Sequence, residues 1–353
     1  LLFTNYRLLI TIKAMKAKTK FRLKRQFQSF AKSCRYLFFR LQNTASHHRK
    51  AIIFFLALWA LWFFGLGAIG GWLLSKGTIQ QFPEITVEDK IIVFSPHVDD
   101  EAIGTSGIIQ EAKAKRATIL VVYMTNGDDN ATSVIGEGKS LKLPPNEFIK
   151  LGEIRAEEGK KALKILGLEE DEYIFLGYPD SGLNLMLSRY FNTTTPYASR
   201  GTKLTYNPYG FTYRQKQSYT GANALADVTQ IIRDFGPTMV FVTHPRDKHP
   251  DHSATFKYVS QALEDLGQNP RVYGYLVHYA LYPPEKKLET NDYLYPPKNL
   301  FSPNGWYSFD LSAEQEQTKL EAIDQNETQR KWVALSNFLQ SFVKRNEIFE
   351  LIE

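Results

Sequence analysis

The sequence has 353 residues, a formal net charge of +6 and one cysteine, so it can form a sizeable core but has no intramolecular disulfide. Thirteen of its 43 Lys and Arg, and none of its 37 Asp and Glu, fall within residues 1–50. Cys34 also lies in this basic tail, which excludes thiolate ligands and a cysteine nucleophile from the acidic remainder of the chain.

Residues 51–75 carry no charged side chain and are rich in Ile, Leu, Phe and Trp. A helix of this length, at about 1.5 Å per residue, crosses a hydrocarbon core of about 30 Å. A cleaved signal peptide has an apolar run of only about 7–15 residues. The sequence therefore predicts a transmembrane helix, and the basic tail before it predicts a cytoplasmic N-terminus and an extracytoplasmic catalytic domain.

Four segments follow from this division: a basic tail (1–50), a transmembrane helix (51–75), a linker (76–88) and one folded domain (89–353). The predicted partners of the first two are anionic lipid headgroups and the lipid bilayer, since basic residues near a membrane surface attract anionic lipids. Nucleic-acid binding is not expected beside a membrane span.

In the domain, short β-branched runs alternate with segments of helical spacing. The runs predict buried strands at residues 90–95, 117–125, 172–176, 238–243 and 272–277. The predicted helices between them cover residues 101–115, 146–166 and 222–235. Such alternation predicts an α/β fold, a Rossmann-like, largely parallel sheet with helices on both faces.

Three other regions of the domain are predicted by composition. Residues 183–219 read as a long loop with many aromatic rings, of the kind that often forms a lid or a binding loop. Residues 281–309 are rich in proline and cannot form a regular helix. Residues 313–347 have helical spacing and are predicted to pack against the sheet.

Two clusters of His and Asp follow two of the predicted strands. The first contains His97, Asp99 and Asp100, and the second contains His249 and His252. Ligands of parallel α/β sheets bind at the carboxyl ends of the strands, so the two clusters are expected to meet. Acids that cap a helix and histidines in loops are the structural alternative, but two such clusters at two strand ends favour a site.

These residue types predict a metal centre. His97, Asp100 and one histidine of the second cluster form a 2-His-1-carboxylate set, which suits hydrolytic zinc and also accepts another divalent ion such as Fe²⁺. Asp99 is placed to act as a general base beside the metal. The spacing of His249 and His252 leaves open which of them binds the metal and which faces the developing oxyanion.

Three motifs resemble those of the PIG-L/LmbE family of zinc-dependent sugar N-deacetylases. They are Pro-His-Val-Asp-Asp-Glu at residues 96–101, Arg-Ala-Glu-Glu at 155–158 and His-Pro-Asp-His at 249–252. The sequence departs from the family pattern at Val98, where the family has proline, and at Ser106, where it has the first of two glycines.

The resemblance implies a role for each matching residue. Zinc would be bound by His97, Asp100 and His252. Asp99 would be the general base, and His249 would stabilise the tetrahedral oxyanion or act as an acid. The resemblance also implies that Arg155 and Asp180 hold the sugar.

The sequence thus predicts a membrane-anchored, metal-dependent hydrolase that removes the N-acetyl group from an N-acetylglucosamine-type sugar in a glycan, glycolipid or glycoconjugate. Its partner would be an N-acetylated saccharide. One alternative is a zinc amidase or deacylase for another acyl group or sugar conjugate. The other is a non-catalytic, membrane-tethered glycan-binding module, against which the presence of Asp99 argues, since a binding module needs no base.

Overall fold

The computed structural model describes residues 79–138, 143–300 and 302–352. The strands in these ranges are, in chain order, β1 (Gln80–Gln81), β2 (Lys90–Ser95), β3 (Thr118–Thr125), β4 (Tyr173–Tyr178), β5 (Met239–Thr243), β6 (Arg271–Tyr275), β7 (Trp306–Asp310) and β8 (Asn346–Leu351). The helices are α1 (Asp100–Gly104), α2 (Ser106–Lys115), α3 (Ala131–Gly138), α4 (Pro145–Ile165), α5 (Leu183–Ser188), α6 (Gly221–Phe235), α7 (Pro250–Leu266), α8 (Ala313–Asp324), α9 (Glu327–Arg330) and α10 (Val333–Gln340).

The strands of the described residues form one sheet in the order β1-β7-β8-β6-β5-β2-β3-β4. All pairings are parallel except those of β8, which runs antiparallel to both β6 and β7. This mixed, mostly parallel sheet confirms the predicted α/β class. Because β2, β3, β4, β5 and β6 run in one direction, the loops that follow them open at the same edge of the sheet.

Two hydrophobic cores lie on the two faces of the sheet. Side chains alternate along β2, so that Ile91 and Val93 face one core and Ile92 and Phe94 face the other. The first core is covered by α1, α2, α4 and α8, and the second by α5, α6 and α7. Burial on both faces explains why β2 reads as a continuous apolar run in the sequence.

The five predicted strands match β2 to β6 within two residues at each end. The prediction of a helical segment over residues 313–347 is only partly right, because α8, α9 and α10 are short and β8 begins at Asn346. The two strands β7 and β8 were not predicted. β8 contains Glu347 and Glu350, which disfavour strands, and antiparallel pairing with β6 and β7 overrides that local preference.

The predicted location, a single-pass membrane protein with an extracytoplasmic domain, requires correction. Within residues 79–138, 143–300 and 302–352, no helix combines the length and apolar character that crossing a bilayer demands. The longest of them, α4, has 21 residues, of which nine are charged. The predicted tail (1–50) and the predicted span (51–75) lie outside the described residues.

Candidate metal centre

The first part of the site is the loop between β2 and α1, which carries His97, Asp99 and Asp100. All three side chains are buried. Asp99 adopts a φ of 116°, a region that non-glycine residues rarely occupy and that is frequent at functional sites. The carboxylate of Glu101 accepts a hydrogen bond from the Asp99 backbone N–H at 3.1 Å and helps to hold the loop in this conformation.

The second part is the loop between β5 and the start of α7. His249 is the N-cap residue of α7, Pro250 is its first residue, and His252 lies buried in its first turn. The carboxylate of Asp247 fixes this loop to the end of β6, because it accepts hydrogen bonds from the backbone N–H groups of His249 at 3.0 Å and His278 at 2.9 Å.

Three ligand atoms from the two loops form a nearly equilateral triangle. The distance is 3.1 Å from His97 Nδ1 to Asp100 Oδ2, 3.2 Å from Asp100 Oδ2 to His252 Nε2, and 3.3 Å from His252 Nε2 to His97 Nδ1. Tetrahedral zinc with bonds of about 2.0–2.1 Å to N and O holds its ligand atoms about 3.3–3.4 Å apart. The triangle therefore fits such an ion, and its donor set is the predicted 2-His-1-carboxylate.

The charges of these three groups are mutually dependent. Burial lowers the pKa of His252, but the carboxylates of Asp100 and Asp247 outweigh it and raise that pKa to about 9. Burial opposes ionisation of Asp100, yet His252 and His97 hold its pKa well below the usual range. A cation bound in the triangle takes the place of the protons on the two imidazoles, so metal binding at this site releases protons.

Carboxylates behind the two histidines orient their rings. His252 Nδ1 lies 3.4 Å from Asp247 Oδ2, while His97 Nε2 lies 3.3 Å from Asp180 Oδ1 and 3.4 Å from Asp251 Oδ2. The Asp251 carboxylate also accepts hydrogen bonds from two backbone N–H groups of the turn that follows β4, at 2.6 and 3.0 Å. Such outer carboxylates fix the tautomer of a metal-binding histidine and increase its basicity.

Asp99 lies beside the triangle and pairs with Arg155, whose Nη2 is 3.2 Å from Asp99 Oδ2. Burial raises the pKa of Asp99 to about 7, against the opposing effect of the Arg155 guanidinium. A carboxyl group with this pKa can take up a proton near neutral pH, as a general base must.

Arg155 itself is buried in α4 and faces the first loop. Its guanidinium donates hydrogen bonds to the backbone carbonyls of Gly127, at 2.8 Å, and Val98. Gly127 has a φ of 64°, and a Cβ there would collide with the guanidinium. Arg155 also lines the cavity beside the triangle, but its Nη2 is directed at the loop that carries Asp99 and its Nη1 at the loop after β3. Its predicted role as a sugar-holding residue stays a prediction.

His249 offers a hydrogen-bond donor to the same space. Its Nδ1 accepts from the backbone N–H of Asp251 at 3.3 Å, which assigns the proton of the neutral ring to Nε2. Burial, together with the positive charges of His97 and His252, lowers the pKa of His249 to about 3. The ring is therefore neutral, and its centroid lies 4.7 Å from that of His97.

A cavity of about 190 Å³ opens beside the triangle. Its lining combines polar and apolar side chains. The polar ones include Asn130, Arg155, Asp180 and Gln329, and the apolar ones are Ile103, Leu335, Phe338 and Leu339. His97, Asp99, Asp100, His249 and His278 complete the lining. All of the predicted site residues except the buried His252 thus border one cavity, and no residue of 183–219 lines it.

Among the polar residues of this lining, the sequence analysis did not assign three to the site. His278 directly follows a predicted strand and was detectable by the same strand-end rule that found the other histidines. Asn130 and Gln329 had no such signal. They come together through a hydrogen bond of 3.0 Å between their side chains, which joins the loop after β3 to α9, almost 200 residues away in sequence.

Comparison with known proteins relates part of the chain to one family. Residues 92–263 match the model of the family described as PIG-L: GlcNAc-PI de-N-acetylase. The match spans just under half of the chain, and it confirms the resemblance of the motifs that lie within it.

Curated relatives include the probable N-acetyl-alpha-D-glucosaminyl L-malate deacetylase 2 of Bacillus anthracis, 25% identical over 221 residues that make up 60% of this chain and 78% of the relative. Another is the 1D-myo-inositol 2-acetamido-2-deoxy-alpha-D-glucopyranoside deacetylase of Rhodococcus opacus, 28% identical over 186 residues, or 51% of this chain. The chain spans only 55% of the length of the Rhodococcus enzyme. Among solved structures, the N,N'-diacetylchitobiose deacetylase of Pyrococcus horikoshii is 20% identical over 75% of this chain and 84% of that chain, with a TM-score of 0.47.

Proposed function

We propose that the protein is a metal-dependent deacetylase that hydrolyses the acetamide of an N-acetylglucosamine-type sugar to acetate and a free amine. The observation that carries this proposal is the triangle of His97, Asp100 and His252 with Asp99 beside it, in a chain whose curated relatives are deacetylases of such sugars. The donor set suits zinc, and Fe²⁺ is compatible with the same ligands.

A divalent ion in the triangle would polarise the amide carbonyl and lower the pKa of the attacking water. The residues of the chain supply the remaining chemistry. Asp99 accepts the proton of the water as the water adds to the carbonyl carbon, and that proton is then available to the departing amine when the C–N bond breaks. Nε2–H of His249 donates a hydrogen bond to the developing oxyanion.

Arg155 and Asp180 bear on this proposal in different ways. Arg155 holds the loop of Asp99 and limits the rise of its pKa. Asp180 accepts from the backbone N–H of Asp129 at 3.1 Å and lies against His97. The Asp180 side chain also lines the cavity, where a carboxylate can accept hydrogen bonds from sugar hydroxyls.

The test is acetate release by the full-length, zinc-loaded protein from a panel of N-acetylglucosaminides, with longer N-acyl analogues as competitors. Asp99→Asn should reduce the rate by about 10²- to 10⁴-fold and leave the zinc content unchanged, because it removes only the base. Asp100→Ala should lose the zinc as well. Asp171→Asn, an exposed acid far from the cavity, is the matched control. Preference for a longer acyl group, or full activity of Asp99→Asn, would contradict the proposal.

A further inference from the structure

His278 is a fourth histidine at the candidate metal centre, and it comes from outside the family-matched residues. It lies three residues beyond the end of β6 and lines the cavity with His97 and His249. Its backbone is held on both sides, since its N–H donates to Asp247 at 2.9 Å and its carbonyl accepts from the N–H of Lys248 at 2.8 Å. The position of the imidazole is therefore fixed by the loop that also presents His249 and His252.

The His278 ring is close to the triangle but is not one of its corners. A ring nitrogen of His278 lies within 4.8 Å of ligand atoms of Asp100 and His252, whereas the corners of the triangle are 3.1–3.3 Å apart. The ring centroids of His278 and His252 are 5.0 Å apart, and those of His278 and His249 are 5.4 Å apart. These separations suit a hydrogen bond to an oxygen atom bound between the triangle and His278.

The ring nitrogens of His278 also have no hydrogen-bond partner among the described residues. His97 and His252 contact carboxylates, and His249 accepts from a backbone N–H. A half-buried polar ring that borders a cavity, and that has no hydrogen-bond partner among these residues, has its donor and acceptor available for a ligand.

Phe338 of α10 fixes the plane of this ring. The two rings stack with centroids 5.3 Å apart and an interplanar angle of 17°. Phe342 in turn packs edge-on against Phe338 at 5.4 Å, and it does not line the cavity. Phe338 is thus a positioning residue, whereas Phe342 makes no ring contact with His278.

We propose that His278 is a further substrate-contacting residue, whose imidazole hydrogen-bonds an oxygen of the reacting acyl group from the side of the cavity formed by β6 and α10. The inference rests on the proposed function for the identity of the acyl group. It adds a contact that the family-matched residues 92–263 do not contain.

The experiment is a titration with acetate, the acyl product, so that it does not depend on knowing the sugar. Acetate is added to the full-length protein loaded with cobalt(II), and binding is followed by visible absorbance of the metal. His278→Ala should weaken acetate binding about fivefold to tenfold, which corresponds to one hydrogen bond. Its metal content should equal that of the wild type. His278→Gln, which retains an N–H donor, should recover part of the affinity.

Two variants of the aromatic stack test the positioning role. Phe338→Leu removes the ring that touches His278 and should weaken acetate binding about twofold to threefold. Phe342→Leu removes a ring that packs edge-on against Phe338 and has no ring contact with His278, so it should lower the thermal stability and leave acetate binding unchanged.

Each outcome decides the inference. Unchanged acetate affinity in His278→Ala, or absence of acetate binding by the wild type, would overturn it. Loss of metal from His278→Ala would overturn it too, because His278 would then be a ligand. If the wild type binds acetate with the predicted dependence on His278 but deacetylates no member of the sugar panel, the proposed function fails while the acyl contact stands.

Discussion

At the scale of single residues, the pairing of Arg155 with Asp99 connects the structure to the reaction. The ion pair is buried, and its two members come from α4 and from the loop after β2. Burial raises the pKa of Asp99, and the positive charge of Arg155 is the principal influence that lowers it. In the proposed reaction, Arg155 would therefore keep the Asp99 carboxylate available for proton transfer at neutral pH.

Replacement of Arg155 should change the pH dependence of the reaction. Arg155→Met removes the positive charge, so the pKa of Asp99 should rise further and the acid limb of the kcat/KM profile should move to higher pH. We expect a loss of about tenfold or more at pH 7, because a general base contributes 10²- to 10⁴-fold. Arg155→Lys retains the positive charge, so the acid limb of its kcat/KM profile should lie between those of the wild type and Arg155→Met.

The measurement is the pH profile of kcat/KM for acetate release between pH 5 and 9. Arg233→Met, which removes an exposed arginine from α6, is the matched control. A profile for Arg155→Met with the wild-type midpoint would show that the guanidinium does not act through Asp99.

The residues that sequence reasoning identified share one property, which is that each directly follows a buried strand or lies in a short motif. The approach of the loop with His97 and Asp100 to the loop with His249 and His252 was predictable in this way, because strand ends meet at one edge of the sheet. The direction of the Arg155 guanidinium was not predictable, since it depends on the approach of Gly127, nearly 30 residues earlier. The same holds for the supporting role of Asp251.

At the scale of elements, the start of α2 is fixed by a side chain from the far end of the chain. The carboxylate of Glu347, in β8, accepts hydrogen bonds from the backbone N–H groups of Gly107 at 3.0 Å and Ile108 at 3.3 Å. It also accepts from the hydroxyl of Ser106 at 3.2 Å and pairs with the buried Lys319 at 2.7 Å. A carboxylate at a helix N-terminus satisfies otherwise unpaired N–H groups.

Neutralising this carboxylate should destabilise the fold. Glu347→Gln leaves the charge of Lys319 buried without its partner, which costs about 3–5 kcal/mol. Ser106→Gly, which restores the residue typical of the family, removes one hydrogen bond and should cost only about 1 kcal/mol. Urea unfolding followed by circular dichroism measures both. Equal midpoints for the two variants would contradict the assigned role of Glu347.

Two of the elements that the sequence did not reveal, β7 and β8, depend on distant partners for their formation. β8 pairs with β6 and β7, and its strand conformation follows from these partners rather than from its own residues. The central strands β2 to β6 were predictable because their composition alone marks them as buried on both faces.

At the scale of the whole molecule, the metal-free protein holds protons that its unfolded chain would release. Burial raises the pKa values of Asp99 to about 7 and Glu101 to about 8, and the carboxylates around His252 raise its pKa to about 9 despite burial. Each of these groups binds more proton in the folded state than in the unfolded state over part of the range from pH 4 to 9. His249 and His278, whose pKa values burial lowers to about 3 and about 4, act in the opposite sense below about pH 6.5, so the fall in stability is expected above that pH.

The thermal midpoint of the metal-free protein should therefore decrease between pH 6.5 and 9. In that window, the stabilisation from protonated His252 is fully present at the lower limit and is lost as the pH passes the raised pKa. Added zinc should reduce or reverse the decrease, because zinc competes with protons for His97 and His252 and binds more tightly at high pH. Thermal melts with a chelator or with zinc, at half-unit pH steps, measure the effect. A midpoint of the metal-free protein that rises over this window would contradict it.

The cavity is built from two portions of the chain, and this division has an evolutionary consequence. The groups proposed to react lie within residues 92–263, whereas His278, Gln329 and the apolar side chains of α10 come from the portion that follows. Substitutions in the later portion can alter which molecule is accepted without disturbing the groups that react with it. Descendants of one ancestral enzyme can in this way diverge in their choice of substrate while they inherit the same chemistry.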